Sequence, residues 1–328
     1  MADLVQSPPR SQSAPLQSLR KPGLLILVVI VIAIALIFRM NWQATQTRAL
    51  SQMSTSDLRL SVRDFPKNAD YRVALAERYL WEERNEDAMR EAKQAIELDS
   101  HNSRAYYLLG KSYQRASQAE LGLKALERAV ELDPKNTQAR FLLGHGYYWN
   151  DKPLLAVKQL EEYVAQQPVD DVGFRFLGLA QLRLAKLDAA EPALRRAVEL
   201  GPESSGNHQS LGNFYLNRAK ETDIDKAATE LLKAVDLNPG ADSNRLQAAV
   251  ALQRANRLPE AANQFEIVFA KSPTDERVCY ALLQIYTRLK DENHLARYRE
   301  LYNKIVKARN ANSAITESTP GGASYPTR

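Results

Sequence analysis

Pro134, Pro168 and Pro202 lie 34 residues apart, each closing a segment of the type Glu131-Leu132-Asp133-Pro134. Pro66 stands two periods before Pro134, with Ser100 at the intervening position. After Pro202 the count slips by three to Pro239 and then returns to 34 at Pro273. Two more combs keep the same phase. One is Ala76, Gly110, Gly144, Gly178, Gly212 and Ala249, and the other Ala88, Gly122, Ala156, Ala190, Ala227 and Ala261. A period of this length describes a row of like units in which each touches only its neighbours.

Each unit holds two amphipathic runs with apolar residues at helical spacing, such as Ser103 to Arg115 and Glu120 to Leu132. The small residues of the combs let the paired helices approach closely. Proline cannot continue a helix, so it marks where the next unit begins. One hairpin cannot bury its apolar face alone, and stacked neighbours must share a core. The expected fold class is therefore all-α, a solenoid of helix hairpins.

The residues resemble the tetratricopeptide repeat (TPR) family. Tyr106, Leu109, Gly110, Tyr113, Gly122, Leu126, Ala129 and Pro134 follow its signature position by position. Phe174, Leu177, Gly178, Ala190, Leu194, Ala197 and Pro202 follow it as well, with Gln181 where the tyrosine would be. The resemblance covers roughly Asn68 to Ile305, as six repeats plus one decayed repeat (Leu282, Tyr286, Leu295). It implies a right-handed superhelical solenoid and a protein-binding role, without naming the partner.

Outside the array the composition changes. Residues 1–20 are rich in Ser, Pro and Gln and are expected as a disordered tail. Gly23 to Phe38 carries no polar side chain, and residues 21–42 are expected as one N-terminal transmembrane helix. Lys21, Leu24, Phe38, Arg39 and Trp42 would form its membrane anchor, with the cations and the indole at the interfaces. Ala33-Ile34-Ala35 fits a cleavage pattern, but Leu36-Ile37-Phe38 continues the apolar run and favours an uncleaved anchor. Three basic residues precede the span and two closely follow it, so the N-terminus is expected in the cytoplasm. The array would then be on the outer side, periplasmic in a Gram-negative cell. Residues 43–66 are expected as a linker and capping helix, 67–308 as the array, and 309–328 as a disordered tail. The three extra residues fall at Lys220 to Asp225 and are placed in the turn of one hairpin.

The formal charge is +5, but residues 1–66 and 304–328 carry a larger positive balance between them, which leaves the array near −2. Nucleic-acid binding by the array loses its main support. Cys279 is the one cysteine and falls in an apolar helical pattern, which fits buried packing. His101, His145, His208 and His294 are widely separated, and none has a zinc-binding spacing. No enzyme activity, cofactor or metal is expected.

In the TPR family the first helix of each unit lines a concave groove. Its second, fifth, ninth, twelfth and thirteenth positions face that groove. The resemblance assigns to it Tyr107, Lys111 and Arg115, then Phe141, His145, Tyr148 and Trp149. Arg175, Arg183, Gln209, Asn213 and Asn217 follow, with Arg254, Arg277, Tyr280 and Arg288 further along. Such cations, amides and rings suit an extended, acidic partner segment that carries an apolar residue. The carboxylate clamp of some family members is not reproduced, because Tyr107 with Lys111 and Phe141 with His145 replace its Asn and Lys pairs. The sequence thus describes a membrane-anchored scaffold that assists assembly or maturation of an envelope complex, in secretion, cytochrome maturation or polysaccharide export. Two other readings stay open: a cytoplasm-facing regulator of an enzyme, and a self-assembling structural module that forms homo-oligomers.

Overall fold

The computed structural model describes residues 29–34, 37, 45, 48–218 and 220–318, with side chains through 310. Seven helix hairpins follow a leading helix α1 (Thr55–Asp64). They are α2 (Ala69–Trp81) with α3 (Asn85–Leu98), α4 (Ser103–Arg115) with α5 (Ala119–Leu132), and α6 (Thr137–Trp149) with α7 (Pro153–Gln166). Next come α8 (Asp171–Arg183) with α9 (Leu187–Leu200), and α10 (Ser205–Arg218) with α11 (Glu221–Leu237). The last are α12 (Asp242–Arg254) with α13 (Leu258–Lys271), and α14 (Glu276–Leu289) with α15 (Glu292–Ser318). Among the described residues there is no strand.

Local chemistry sets the helix ends. Asn102, Asn136 and Asp170 follow the unit-closing segments and accept the N–H of Ala105, Ala139 and Gly173 at 3.0, 2.9 and 2.8 Å. These N-caps satisfy donors that the first turn would otherwise leave bare. Within the hairpins the turn recurs as well. Glu83, Ser117, Asp151, Ala185, Asn256 and Lys290 all adopt left-handed φ between 54° and 61°. A left-handed residue closes the preceding helix and starts the next one within three residues.

The small-residue comb is the contact between paired helices. A Cβ on Gly110, Gly144, Gly178 or Gly212 would lie 2.6–2.8 Å from Cγ of Leu126, Leu160, Leu194 or Leu231. These glycines are present because a leucine of the partner helix occupies the Cβ position. The buried core runs in three stretches along the solenoid, bridged by the half-buried Tyr107 and Leu179.

Arginines tie three of the entry turns to the hairpin that follows them. Arg72, Arg140 and Arg245 donate through Nη2 to the carbonyls of Pro66, Pro134 and Pro239, at 3.2, 2.7 and 3.1 Å. Their Nη1 atoms bond Gln94, Gln159 and Gln264 on the second helix. His208 replaces the arginine between Pro202 and Glu230.

Three sequence expectations are corrected. The extra residues of the fifth unit do not lengthen its turn; they extend the second helix, so α11 has 17 residues where the other second helices of the first six units have 14. Arg218 holds the added turn through Asp223 at 2.6 Å and Glu191 at 2.5 Å. At the other end α15 runs to Ser318, past the boundary expected at 308, with Arg309 paired to Glu276 at 2.7 Å. The sequence has no helix breaker there until Pro320.

The third correction concerns localisation. Among the described residues no helix is long and apolar enough to cross a membrane, which contradicts the single-pass placement and the orientation built on it. Lys21, Leu24, Phe38, Arg39 and Trp42, expected as the anchor, lie outside the described residues.

Candidate functional site

First helices of successive units touch one another, α2 with α4, α4 with α6, α6 with α8, α8 with α10 and α10 with α12. No comparable contact joins successive second helices among the described residues. A stack that is closer on one side curves toward that side, so the first helices line the concave face. The fifth, ninth and thirteenth residues of each first helix share one face by helical periodicity.

The centre of this face is a ring cluster on α6 and α8. The His145 ring meets Phe176 edge-on at 4.5 Å, Tyr148 meets Phe176 at 5.6 Å, and Tyr148 meets Trp149 at 5.2 Å. Phe141 closes the inner side against Tyr163 at 5.1 Å. Edge-to-face arrangements at these distances fix ring orientation. Trp149 donates its Nε1–H to Nε2 of His145 at 2.9 Å, which requires the Nδ1–H tautomer of a neutral imidazole. Burial pushes the His145 pKa down, and the Arg175 charge adds to this. The cluster is thus held in one arrangement while the Trp149 indole remains 63% exposed.

Arg175 lies over the Phe176 ring at 4.8 Å and has no hydrogen bond or ion pair among the described residues. Burial lowers its pKa, and the nearby carboxylates of Asp171 and Asp170 only partly counter this. Asp170 is already used, as the N-cap of α8 and as acceptor of the Tyr163 hydroxyl at 3.0 Å. A half-buried guanidinium without an anion is costly to the protein alone and well suited to an incoming carboxylate.

Two units before Arg175, Lys111 lies 5.9 Å from the Tyr107 ring, again with no ion pair among the described residues. Burial and then Arg115 push its pKa down. Its nearest acidic neighbour, Glu77, is bonded by Arg104. Burial raises the Tyr107 pKa, in keeping with its place between two core stretches.

Several groove cations serve the array itself. Arg115, Arg183 and Arg254 donate to the carbonyls of Leu80, Tyr148 and Leu216, at 2.7, 3.1 and 3.1 Å. Each acceptor belongs to the last turn of the preceding first helix, where carbonyls are unpaired and the helix dipole favours a cation. Arg183 also meets Asp151 at 3.2 Å and covers the Tyr148 ring at 4.3 Å. Arg288 bonds Asn256, and Arg277 pairs with Asp275 at its own helix start. Gln209 bonds Gln247 at 3.3 Å. Asn213 is half-buried and Asn217 exposed on the same face of α10. The structure therefore brings Phe141, His145, Tyr148, Trp149 and Arg175 into one site. Arg183 sits at its edge as a helix cap over Tyr148, Arg115 caps α2 away from it, and Asn213 and Asn217 stand apart.

Sequence reasoning missed two residues. Phe176 is buried and is the hub of the ring cluster, but in sequence it is one more apolar residue of an amphipathic helix. Trp81 is 78% exposed and occupies the repeat position of Trp149, two periods earlier; its phase was the signal that could have found it.

Among the described residues no group of His, Cys, Asp and Glu is placed to hold a metal ion. Cys279 is buried, and burial pushes its thiol pKa up.

Tetratricopeptide-repeat family profiles match residues 103–136 and 143–205. No curated protein matches the chain at a significant level. Among solved structures, YrrB, described as a TPR protein with an unusual peptide-binding site, aligns with TM-score 0.54 and 21% identity, covering 61% of this chain and all of YrrB. PilF of Pseudomonas aeruginosa aligns with TM-score 0.50 and 21% identity, over 65% of this chain and 98% of PilF. In the APC/C hetero-tetramer Cut9–Hcn1, the match has TM-score 0.51 and 13% identity, over 76% of this chain and 49% of the other. These likenesses are to the fold. With the profile matches, the periodic hairpins and the inward-facing first helices, they identify the chain as an all-α solenoid of tetratricopeptide repeats.

Proposed function

We propose that the concave face from α4 to α8 binds an extended, acidic segment of a protein partner. One carboxylate of the segment pairs with Arg175, and an apolar or aromatic side chain rests on Trp149 and Tyr148. The observation that carries this reading is the coincidence of an unpaired, half-buried guanidinium with an exposed indole whose orientation is fixed by His145. Lys111 supplies a second cation, two units before Arg175, with no ion pair among the described residues. Charge governs the association rate and its salt dependence, and the ring contact governs residence time. YrrB is a TPR protein with a peptide-binding site, which fits a peptide-sized ligand here. The envelope setting expected from the sequence rested on a membrane span, so the proposal is confined to the groove and the chemistry of its ligand.

The test is calorimetric titration of the full chain with a short peptide of glutamates and leucines and with its lysine-for-glutamate counterpart. The acidic peptide should bind, weaken as salt rises, and lose affinity in Arg175→Gln. Equal binding of the two peptides, or unchanged binding in Arg175→Gln, would remove the groove assignment.

A further inference from the structure

Trp81 and Trp149 stand at the same repeat position two units apart, and each belongs to a matching arrangement. Trp81 ends α2, whose last-turn carbonyl of Leu80 is bonded by Arg115 of the next unit. Trp149 ends α6, whose carbonyl of Tyr148 is bonded by Arg183 of the unit after it. Each indole is also steadied from its own helix, Trp81 by the Arg78 guanidinium at 5.7 Å and Trp149 by His145. Arg78 is itself fixed by the carbonyls of Ser51 and Met53. Both indoles are exposed, by 78% and 63%. The next such position carries Asn217, so the pattern occurs twice and stops.

Resting on the proposed reading of the groove, we infer that it has a second subsite at Trp81, where Tyr107 stands at the repeat position of Arg175 and the capping Arg115 is the cation within reach, and that its ligand carries two apolar–acidic pairs. Arg115 has no carboxylate partner among the described residues, and its guanidinium bonds the Leu80 carbonyl through Nη1. Lys111 lies between the subsites and is likewise unpaired, which favours acidic residues in the connecting stretch. Helices in contact are about 8–10 Å apart, so two units span about 16–20 Å. An extended peptide covers that distance in about five or six residues, at roughly 3.3 Å each. The ligand is therefore an acidic strand with two apolar residues at that spacing, and the linked pairs gain from effective concentration.

The test uses the full chain and three synthetic acidic peptides: one with a single leucine–aspartate pair, one with two pairs about six residues apart, and one with two pairs about three apart. The widely spaced peptide should bind at least about tenfold more tightly than the other two. Trp81→Ala and Trp149→Ala should each reduce it to the single-pair affinity, with circular dichroism unchanged. If the two-pair peptide has no advantage and Trp149→Ala alone weakens binding, the second subsite is refuted while the groove reading stands. If no peptide binds the wild type, both are refuted. If Trp81→Ala changes the oligomeric mass by light scattering and leaves affinity unchanged, Trp81 is a contact between copies of the chain and the inference is overturned.

Discussion

At one repeat position the two ends of the solenoid behave differently. In the first four units Trp81 and Trp149 expose their rings, alternating with the capping arginines Arg115 and Arg183. In the sixth and seventh units only arginines are found, with Arg254 bonded to Leu216 and Arg288 to Asn256. The fifth unit carries Asn217 there, and its neighbour Arg218 lies half-buried between Asp223 and Glu191. Backbone geometry is alike throughout, so what differs is whether a side chain is used within the array or offered outside it. A repeat position sets direction; the partner atoms nearby set the role. Both halves use arginines for cohesion, but the N-terminal half also keeps open rings and two groove cations, Lys111 and Arg175, that have no ion pair among the described residues.

If that division holds, the largest effect on stability belongs to Arg218. Asp223 is only 1% exposed, and Arg218→Ala would leave it with the longer Lys226 contact at 3.6 Å alone, costing about 3 kcal/mol in denaturant unfolding. Arg218 holds the Asp223 carboxyl below the usual carboxylate range. A depressed carboxyl pKa stabilises the fold fully above its unfolded value, about 3.9, and this part is lost as pH falls below it. The variant should lack that acid-dependent part. A loss under about 1 kcal/mol would remove the strut assigned to the C-terminal half.

Helix pairing, by contrast, should not distinguish the halves. Gly144→Leu and Gly212→Leu would each force a side chain onto a leucine Cγ under 3 Å away, at a cost of about 1–3 kcal/mol or more. A large difference between the two melting points would mean that the halves differ in backbone as well as in side-chain use.

The ring cluster provides a pH test specific to the N-terminal half. The His145 pKa is depressed in the fold, so its contribution to stability is full above the unfolded value, about 6.5, and is lost as pH falls below that. Protonation also turns Nε2 into a donor and breaks the Trp149 bond. Tryptophan emission should shift as pH falls from about 7 to 5, and His145→Phe should remove the shift. An unchanged profile in the variant would place the titrating group elsewhere.

The smallest effect tests the turns. Ala185 holds φ at 56°, a conformation that penalises a Cβ, so Ala185→Gly should stabilise the chain by about 0.5–1 kcal/mol. Destabilisation would show that its methyl makes a contact worth more than the strain.

The solenoid itself was legible because its physics is periodic. Proline at unit boundaries, glycine where Leu126 or Leu160 crosses, and Asn or Asp at N-caps all recur at one spacing. The extra residues of the fifth unit were misplaced because Lys220 to Asp225 reads equally as turn or first helical turn; only the Arg218 contacts decide it. The groove was legible by position but not by role. Nothing local separates Arg175, which is unpaired, from Arg183, which caps a helix one unit away. That distinction depends on a carbonyl 35 residues distant in the chain. Phe176 was missed for a related reason, since its partners His145 and Tyr148 come from another helix.

The central claim is that one repeat position binds ligand in one half of the solenoid and holds units together in the other. It is tested most directly by titrating Trp149→Ala and Arg254→Ala with the same acidic, leucine-containing peptide while recording melting. Trp149→Ala should bind about tenfold or more weakly at every salt concentration and melt like the wild type. Arg254→Ala should bind like the wild type and lose about 1–2 kcal/mol of stability, the scale of a hydrogen bond from a charged donor. If Arg254→Ala loses the peptide and Trp149→Ala keeps it, the ligand occupies the other half and the account is wrong.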